Sequence, residues 1–154
     1  VQATGFLKEQ RATTVVAPLL TDTWNQDCYY NNLCPVDANG PCGHVYAGCT
    51  GTSMGQIMHF WGYPSSGTGS VTYTPSGYPQ QSVNFAETTY EWANMPNSLS
   101  SSSGSTQINA VATLLWHCGV ALQASYGAYG TSAYPSWVPN AMTSYFGYSS
   151  DLYG

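Results

Sequence analysis

An α+β fold, mainly helical with long loops and at most short strands, is the class that this 154-residue chain predicts. Apolar residues return at helical spacing in two long segments and a shorter third. β-compatible pieces are short and lie only between the first two of these segments. The connections are long and rich in Gly, Ser, Pro and Tyr. The length suits one compact domain with a sizeable core, or a piece of something larger.

The elements follow in chain order. Residues 1–11, "VQATGFLKEQR", contain Lys8 and Arg11, the only two basic residues, and lack the apolar run of a signal peptide. The composition then shifts to "ATTVVAPLL", so Arg11 reads as a processing junction and 1–11 as a propeptide remnant or N-terminal extension; the bland alternative is a frayed terminus. Residues 21–48 are turn-rich, with "WNQDCYYNNLCP" presenting aromatic and amide side chains. The first helix starts near Cys49: Met54, Ile57, Met58 and Trp61 stand at i, i+3, i+4 and i+7 and predict one apolar stripe, with Gly62 and Pro64 as the stop. Residues 62–104 read as a long excursion with at most a hairpin, built from "SVTYT" and "SVNF", and tied to a core by Trp92, Met95 and Leu99. The second helix is "STQINAVATLLWHCGVAL", capped by Ser105 or Thr106. Ile108, Val111, Ala112, Leu115 and Gly119 share one side, and Leu114 and Cys118 widen the stripe. A third helix falls in "SWVPNAMTSYF", with Ser136 as cap, Pro139 in the first turn and Gly147 as the stop.

Composition excludes several functions. From Ala12 onward there is no Lys or Arg, and the formal net charge is −5, so a phosphate-binding surface and with it a nucleic-acid partner are excluded. Solubility resting on neutral polar groups suits a secreted protein, and the scarcity of basic residues leaves trypsin-like proteases few sites. No window of about 18 apolar residues predicts a membrane span. The five cysteines, Cys28, Cys34, Cys42, Cys49 and Cys118, are an odd count that leaves at least one thiol unpaired within the chain. Cys28, Cys34 and Cys42 crowd a loop with Pro35, Gly40, Pro41 and Gly43, where a disulfide fits but its connectivity is not readable. A zinc site from Cys28, Cys34, Cys42, His44 and Cys49 lacks the short C-x2-C spacing of structural zinc. No metal or organic cofactor is implied.

Cys49 is the candidate for chemistry. It stands at a predicted helix start, where the helix dipole favours a thiolate, and small residues (Gly48, Thr50, Gly51, Thr52, Ser53 and Gly55) leave room for a substrate backbone. Small residues also serve tight helix packing, so the local pattern alone permits both a nucleophile and a buried hydrophobe. Acyl transfer further needs a base, a group that orients it and donors to the oxyanion. Gln26 supplies one donor, and the Cys49 N–H a second.

Five ordered blocks, "PLLTDTWNQDCYYNNLCP", "GHVYAGCTGTSMGQIMHFWGYP", "TTYEWANMP", "VATLLWHCGVAL" and "VPNAMTSYFGY", resemble the streptopain family of papain-fold cysteine peptidases, in particular its interpain-like members from anaerobic oral and gut bacteria. The match runs from about residue 12 to the end. The resemblance implies a papain-like fold, of which residues 12–154 are the mainly helical N-terminal portion of the catalytic domain, with Cys49 as nucleophile and Gln26 as the oxyanion-hole glutamine. It implies Gly48 and the loop "YGAYGTSA" as substrate-binding, with Tyr126, Gly127, Thr131, Ser132 and Ala133 forming a wall of a pocket for hydrophobic side chains. The family usually has Val-Ala after the cysteine, where this chain has Thr50 and Gly51.

The base histidine of such enzymes lies roughly 130–150 residues after the cysteine, beyond Gly154. Of the three histidines present, His59 stands about 15 Å along the helix from Cys49, His117 reads as a core residue, and His44 is the only local candidate. The expectation is therefore a secreted bacterial cysteine endopeptidase of protein or peptide substrates, of the zymogen and virulence-associated kind. The chain alone is expected to be inactive until a second chain or a C-terminal segment supplies the histidine. The competing reading is a non-catalytic, disulfide-stabilised secreted module that presents its thirteen tyrosines and five tryptophans to peptides or sugars; Cys49 in a disulfide would favour it.

Overall fold

The computed structural model describes residues 17–152, so the proposed junction at Arg11 lies outside the described residues. Helix α1 (Cys49–Trp61) and helix α2 (Ser105–Ala121) pack against each other and form the centre. Between them a two-stranded antiparallel hairpin, β1 (Ser70–Tyr73) and β2 (Gln81–Asn84), leans on α2, and α3 (Val138–Phe146) follows. The mainly helical α+β expectation holds, and among the described residues the strands are no longer than four residues.

The expected stripe of α1 is buried on one side only. Met54 and Met58 are fully buried, whereas Ile57 is 39% and Trp61 67% exposed. The reason lies in which face meets α2. The close approach is made by Gly51 and Gly55, and a Cβ on Gly55 would stand 2.5 Å from Leu115 Cδ2, so the buried arc is centred on those glycines and Met58. Ile57 and Trp61 sit at its edge and line a groove of about 690 Å³ with Tyr63, Pro139, Met142 and Tyr148. The stop is as expected: Gly62 adopts the left-handed conformation (φ 56°) and its N–H reaches the His59 carbonyl at 3.1 Å.

On α2, Val111, Ala112, Leu114, Leu115, Cys118 and Gly119 are all buried, so the wide stripe is borne out. Its cap is not Ser105 or Thr106 but Gly104, whose N–H donates to Gln107 Oε1 at 3.2 Å, because the helix begins at Ser105 itself. On α3, Ser136 is not the cap either. A 3-10 turn, Pro135–Trp137, precedes the helix and leaves Trp137 at the cap position, while Pro139 in the first turn and Gly147 at the stop are as expected.

The hairpin pairs Val71 with Val83, both buried, while Thr72 and Ser82 bond to each other at 2.7 Å on the outer face. Trp116 Nε1 donates to Gln81 Oε1 at 2.9 Å and Tyr73 Oη to the Ala124 carbonyl at 2.9 Å, which ties the hairpin to α2 and to the chain after it. Phe85 lies at the centre of the aromatic core, within 5.0–5.5 Å, centroid to centroid, of Tyr145, Phe146 and His117.

The turn-rich segment before α1 is closed by a Cys28–Cys42 disulfide and organised by Asn31, whose buried amide donates to the carbonyls of Pro41 at 2.8 Å and Val45 at 3.1 Å. Its two ends, carrying Gln26 and Ala47, are thereby brought together next to α1. The Ala47 N–H donates to the Gln26 carbonyl at 2.9 Å.

Candidate active site

Cys49 is the first residue of α1. Gly48 before it has φ 93° and ψ 136°, a conformation that side chains rarely adopt, and a Cβ there would lie 2.9 Å from Thr131 Cγ2. Glycine is therefore required twice over, for the backbone turn that points Cys49 outward and for the loop that crosses it. The first-turn N–H groups of α1 have no intrahelical partners and carry the positive end of the helix dipole. The thiol is unpaired and exposed. Cys34 and Cys118 are also unpaired, but are 3% and 0% exposed, and burial pushes the Cys34 thiol up to about 12 and the Cys118 thiol higher still than its ordinary value. Cys49 is thus the one free thiol open to solvent, and it takes no part in a disulfide.

Gln26 and Cys49 line one recess of about 220 Å³, with Trp24 and Asn25 from the segment before Gln26 and Thr52, Ser53 and Gln56 from α1. Thr52 and Ser53 are among the small residues that the sequence places around Cys49, whereas Gln56 is not, although it lies at i+7 from Cys49 and the helical period alone places it on the same face. On the other side of Cys49, a groove of about 500 Å³ runs between α1 and the start of α3, lined by Thr50, Met54, Ile57, Pro135, Val138 and Pro139. Those last three residues come to Cys49 only through the tertiary fold.

The loop expected to form a pocket wall does approach the helix start. The Tyr46 N–H donates to the Gly127 carbonyl at 3.4 Å, Thr131 packs against Gly48, and Thr50 Oγ1 donates to the Ala133 carbonyl at 3.1 Å. Within the loop, Ser125 and Ser132 bond to each other through both backbone N–H groups, and the Gly127 N–H donates to Thr131 Oγ1 at 3.2 Å. Two of its members differ from the expectation. Tyr126 is only 4% exposed, its ring packed into the core beside Gly119, and Thr131 is buried by its contact with Gly48. Ser132 and Ala133 face a separate recess of about 320 Å³, shared with Tyr134 and Trp137, rather than the groove that holds Cys49.

None of the three histidines lines either recess that contains Cys49. His44 Nδ1 lies 2.8 Å from the Cys34 carbonyl oxygen in the turn-rich segment. His59 is bound to Asp22 and the Met95 carbonyl. His117 is a satisfied core residue, bonded through Nδ1 to Tyr90 Oη at 2.8 Å, and burial pulls it down to about 4.

The family model described as the peptidase C10 family matches residues 24–153. A curated relative, the thiol protease/hemagglutinin PrtT of Porphyromonas gingivalis, is 26% identical over 132 residues, covering 84% of this chain and 15% of that protein. The solved structure of active wild-type Prevotella intermedia interpain A cysteine protease is 37% identical with a TM-score of 0.78, covering 86% of this chain and 55% of that one. A prointerpain A fragment from the same organism, with a cysteine-to-alanine mutation, is 38% identical with a TM-score of 0.78 and covers 86% and 43%. The chain therefore spans about half the length, or less, of the relatives it matches.

Proposed function

The chain belongs to the peptidase C10 family, and we propose that it is the nucleophile-bearing part of a secreted cysteine endopeptidase, with residues 12–154 as the N-terminal portion of the catalytic domain and 1–11 as a propeptide remnant or N-terminal extension. The observation that carries the proposal is the meeting of the one exposed free thiol, at a helix start, with Gln26 in a single recess. Low positive charge and a disulfide suit an extracellular setting.

In the proposed reaction the Cys49 thiolate attacks a peptide carbonyl and forms a C–S bond, and the developing oxyanion takes hydrogen bonds from the Cys49 N–H and the Gln26 amide. The C–N bond then breaks, a histidine protonates the leaving amine, and water hydrolyses the thioester to release the acid and regenerate the thiol. That histidine comes from a further segment or second chain, since His44, His59 and His117 are all held away from the recess. The exposed groove of Ile57, Trp61, Tyr63, Pro139, Met142 and Tyr148 is the surface proposed to receive it. Gly48 and Gly127 are proposed to border the substrate, with Tyr126 and Thr131 supporting the loop from behind and Ser132 and Ala133 facing the neighbouring recess.

The test is hydrolysis of a fluorogenic peptide with a hydrophobic side chain, by residues 12–154 alone and by a chain extended to include a histidine-bearing C-terminal segment. The extended chain is expected to cleave and the short one not, with Cys49→Ala abolishing cleavage. Cleavage that survives Cys49→Ala, or equal rates from both chains, overturns the proposal.

A further inference from the structure

Behind the recess that joins Gln26 to Cys49 lies a buried polar cluster with no part in the steps above. Asp22, whose side chain is 2% exposed, divides its two carboxylate oxygens: Oδ2 is 2.9 Å from His59 Nδ1, and Oδ1 accepts from Gln56 Nε2 at 3.0 Å. The second ring nitrogen of His59, Nε2, is 2.9 Å from the Met95 carbonyl oxygen. The ring is thereby held at both nitrogens, with Asp22 on one side and the Met95 carbonyl on the other. The same ring stacks on Trp24, with centroids 4.5 Å apart and planes at 28°. Trp24 is fixed from its other edge, Nε1 donating to the Pro96 carbonyl at 2.8 Å, and the Thr23 N–H donates to the Asn97 carbonyl at 2.8 Å.

The consequence reaches the candidate active site because Trp24 and Gln56, the two side chains that this cluster holds, are walls of the recess that Gln26 and Cys49 share. Gln26 follows Trp24 by two residues, and Gln56 follows Cys49 by two helical turns. We propose that Asp22 and His59 form a positioning pair: a buried hydrogen-bonded clamp that locks Trp24 to α1 and thereby sets the distance of the Gln26 amide from Cys49. Neither residue touches the reacting atoms, as neither lines a recess that contains Cys49. The proposal rests on the peptidase reading for its effect on rate, but not for the clamp itself.

The clamp is tested on this chain by NMR hydrogen exchange at the Trp24 indole N–H and the Gln56 side-chain amide, both held in the cluster. Slow exchange at both is expected in the native protein, and exchange about tenfold faster or more in Asp22→Asn. Fast exchange in the native protein, or no change in Asp22→Asn, overturns the clamp. The positioning role is tested in the histidine-extended peptidase. Gln26→Ala should lower kcat about a hundredfold, and Asp22→Asn about tenfold or more with KM within about twofold. The Asp22→Asn/Gln26→Ala double variant should be no slower than Gln26→Ala, since the clamp acts through Gln26. Losses that simply multiply, or a change confined to KM, overturn the positioning role. Should Asp22→Asn fail to fold, His59→Gln, which keeps one donor, is read in the same cycle with the same expectations. An extended wild-type chain without any hydrolysis overturns the peptidase reading and the rate effect with it, while the NMR result still decides the clamp.

Discussion

Removing the Cys28–Cys42 disulfide is expected to destabilise the protein and to loosen Gln26. The two cysteines are 14 residues apart in sequence. Closing a loop of about 15 residues restricts the unfolded chain by about 3 kcal/mol in the chain-entropy treatment. For a protein of this length each kcal/mol moves Tm by about 2–4 °C, so Cys28→Ser/Cys42→Ser should melt about 6–12 °C lower. Cys42 is exposed and Cys28 partly so, which makes serine a tolerable replacement in the folded state. The fold of the loop itself has other supports, notably the Asn31 amide on Pro41 and Val45, so the native structure should persist below the lowered midpoint. The assay is thermal or urea unfolding of both proteins, with a thiol titration to establish the pairing. Unreduced and denatured, the wild type should show three free thiols, and in the native state Cys49 should react first because Cys34 and Cys118 are buried. Equal midpoints, or five titratable thiols in the unreduced protein, would refute the reasoning.

Two further outcomes follow from the same contacts. His117 is held neutral by burial, its folded value near 4 against an ordinary 6.5, so the unfolded chain binds more protons between those values. Stability should therefore be full above about pH 6.5, fall as pH drops toward 4, and level off below, a loss of about 3 kcal/mol. Urea midpoints measured from pH 4 to 7 should show this slope, and His117→Gln should remove it; an unchanged slope in the variant points to other groups. Gly48→Ala adds a Cβ at φ 93° and 2.9 Å from Thr131 Cγ2, which should cost about 1–3 kcal/mol and slow alkylation of Cys49 by displacing the helix start. Wild-type stability and alkylation rate in Gly48→Ala would show that the close approach is not tight.

What was legible in the sequence is what local periodicity and punctuation encode. The start of α1 at Cys49 and its stop at Gly62, the wide apolar stripe of α2, the single hairpin and the Gly147 stop follow from residue spacing and from glycine's access to positive φ. The two cap positions were misplaced because serine's preference for caps says nothing about where neighbouring turns place the first helical residue; Gly104 and Trp137 hold those positions through the chain that leads into each helix. Ile57 and Trp61 fit a buried stripe by period, yet lie outside the arc that Gly51 and Gly55 let α2 cover, a matter of which face finds a partner. The resemblance implies Tyr126 on a pocket wall, whereas the space beside Gly119 takes its ring inward. The meeting of Gln26 with Cys49 depends on the disulfide, on Asn31 and on the Ala47 backbone hydrogen bond, contacts that no local pattern announces. The partnership of Asp22 with His59, 37 residues apart, had no sequence signal at all.

The central claim is that Cys49 is the nucleophile and needs a histidine from outside the described residues. The most direct measurement is peptide mapping by mass spectrometry after treatment with a peptidyl epoxide that targets activated thiols, with and without the histidine-bearing segment. A single adduct on Cys49, formed only when that segment is present, is the predicted result. Label divided equally between Cys49 and Cys118, or Cys49 labelled as fast in the chain alone, would contradict it.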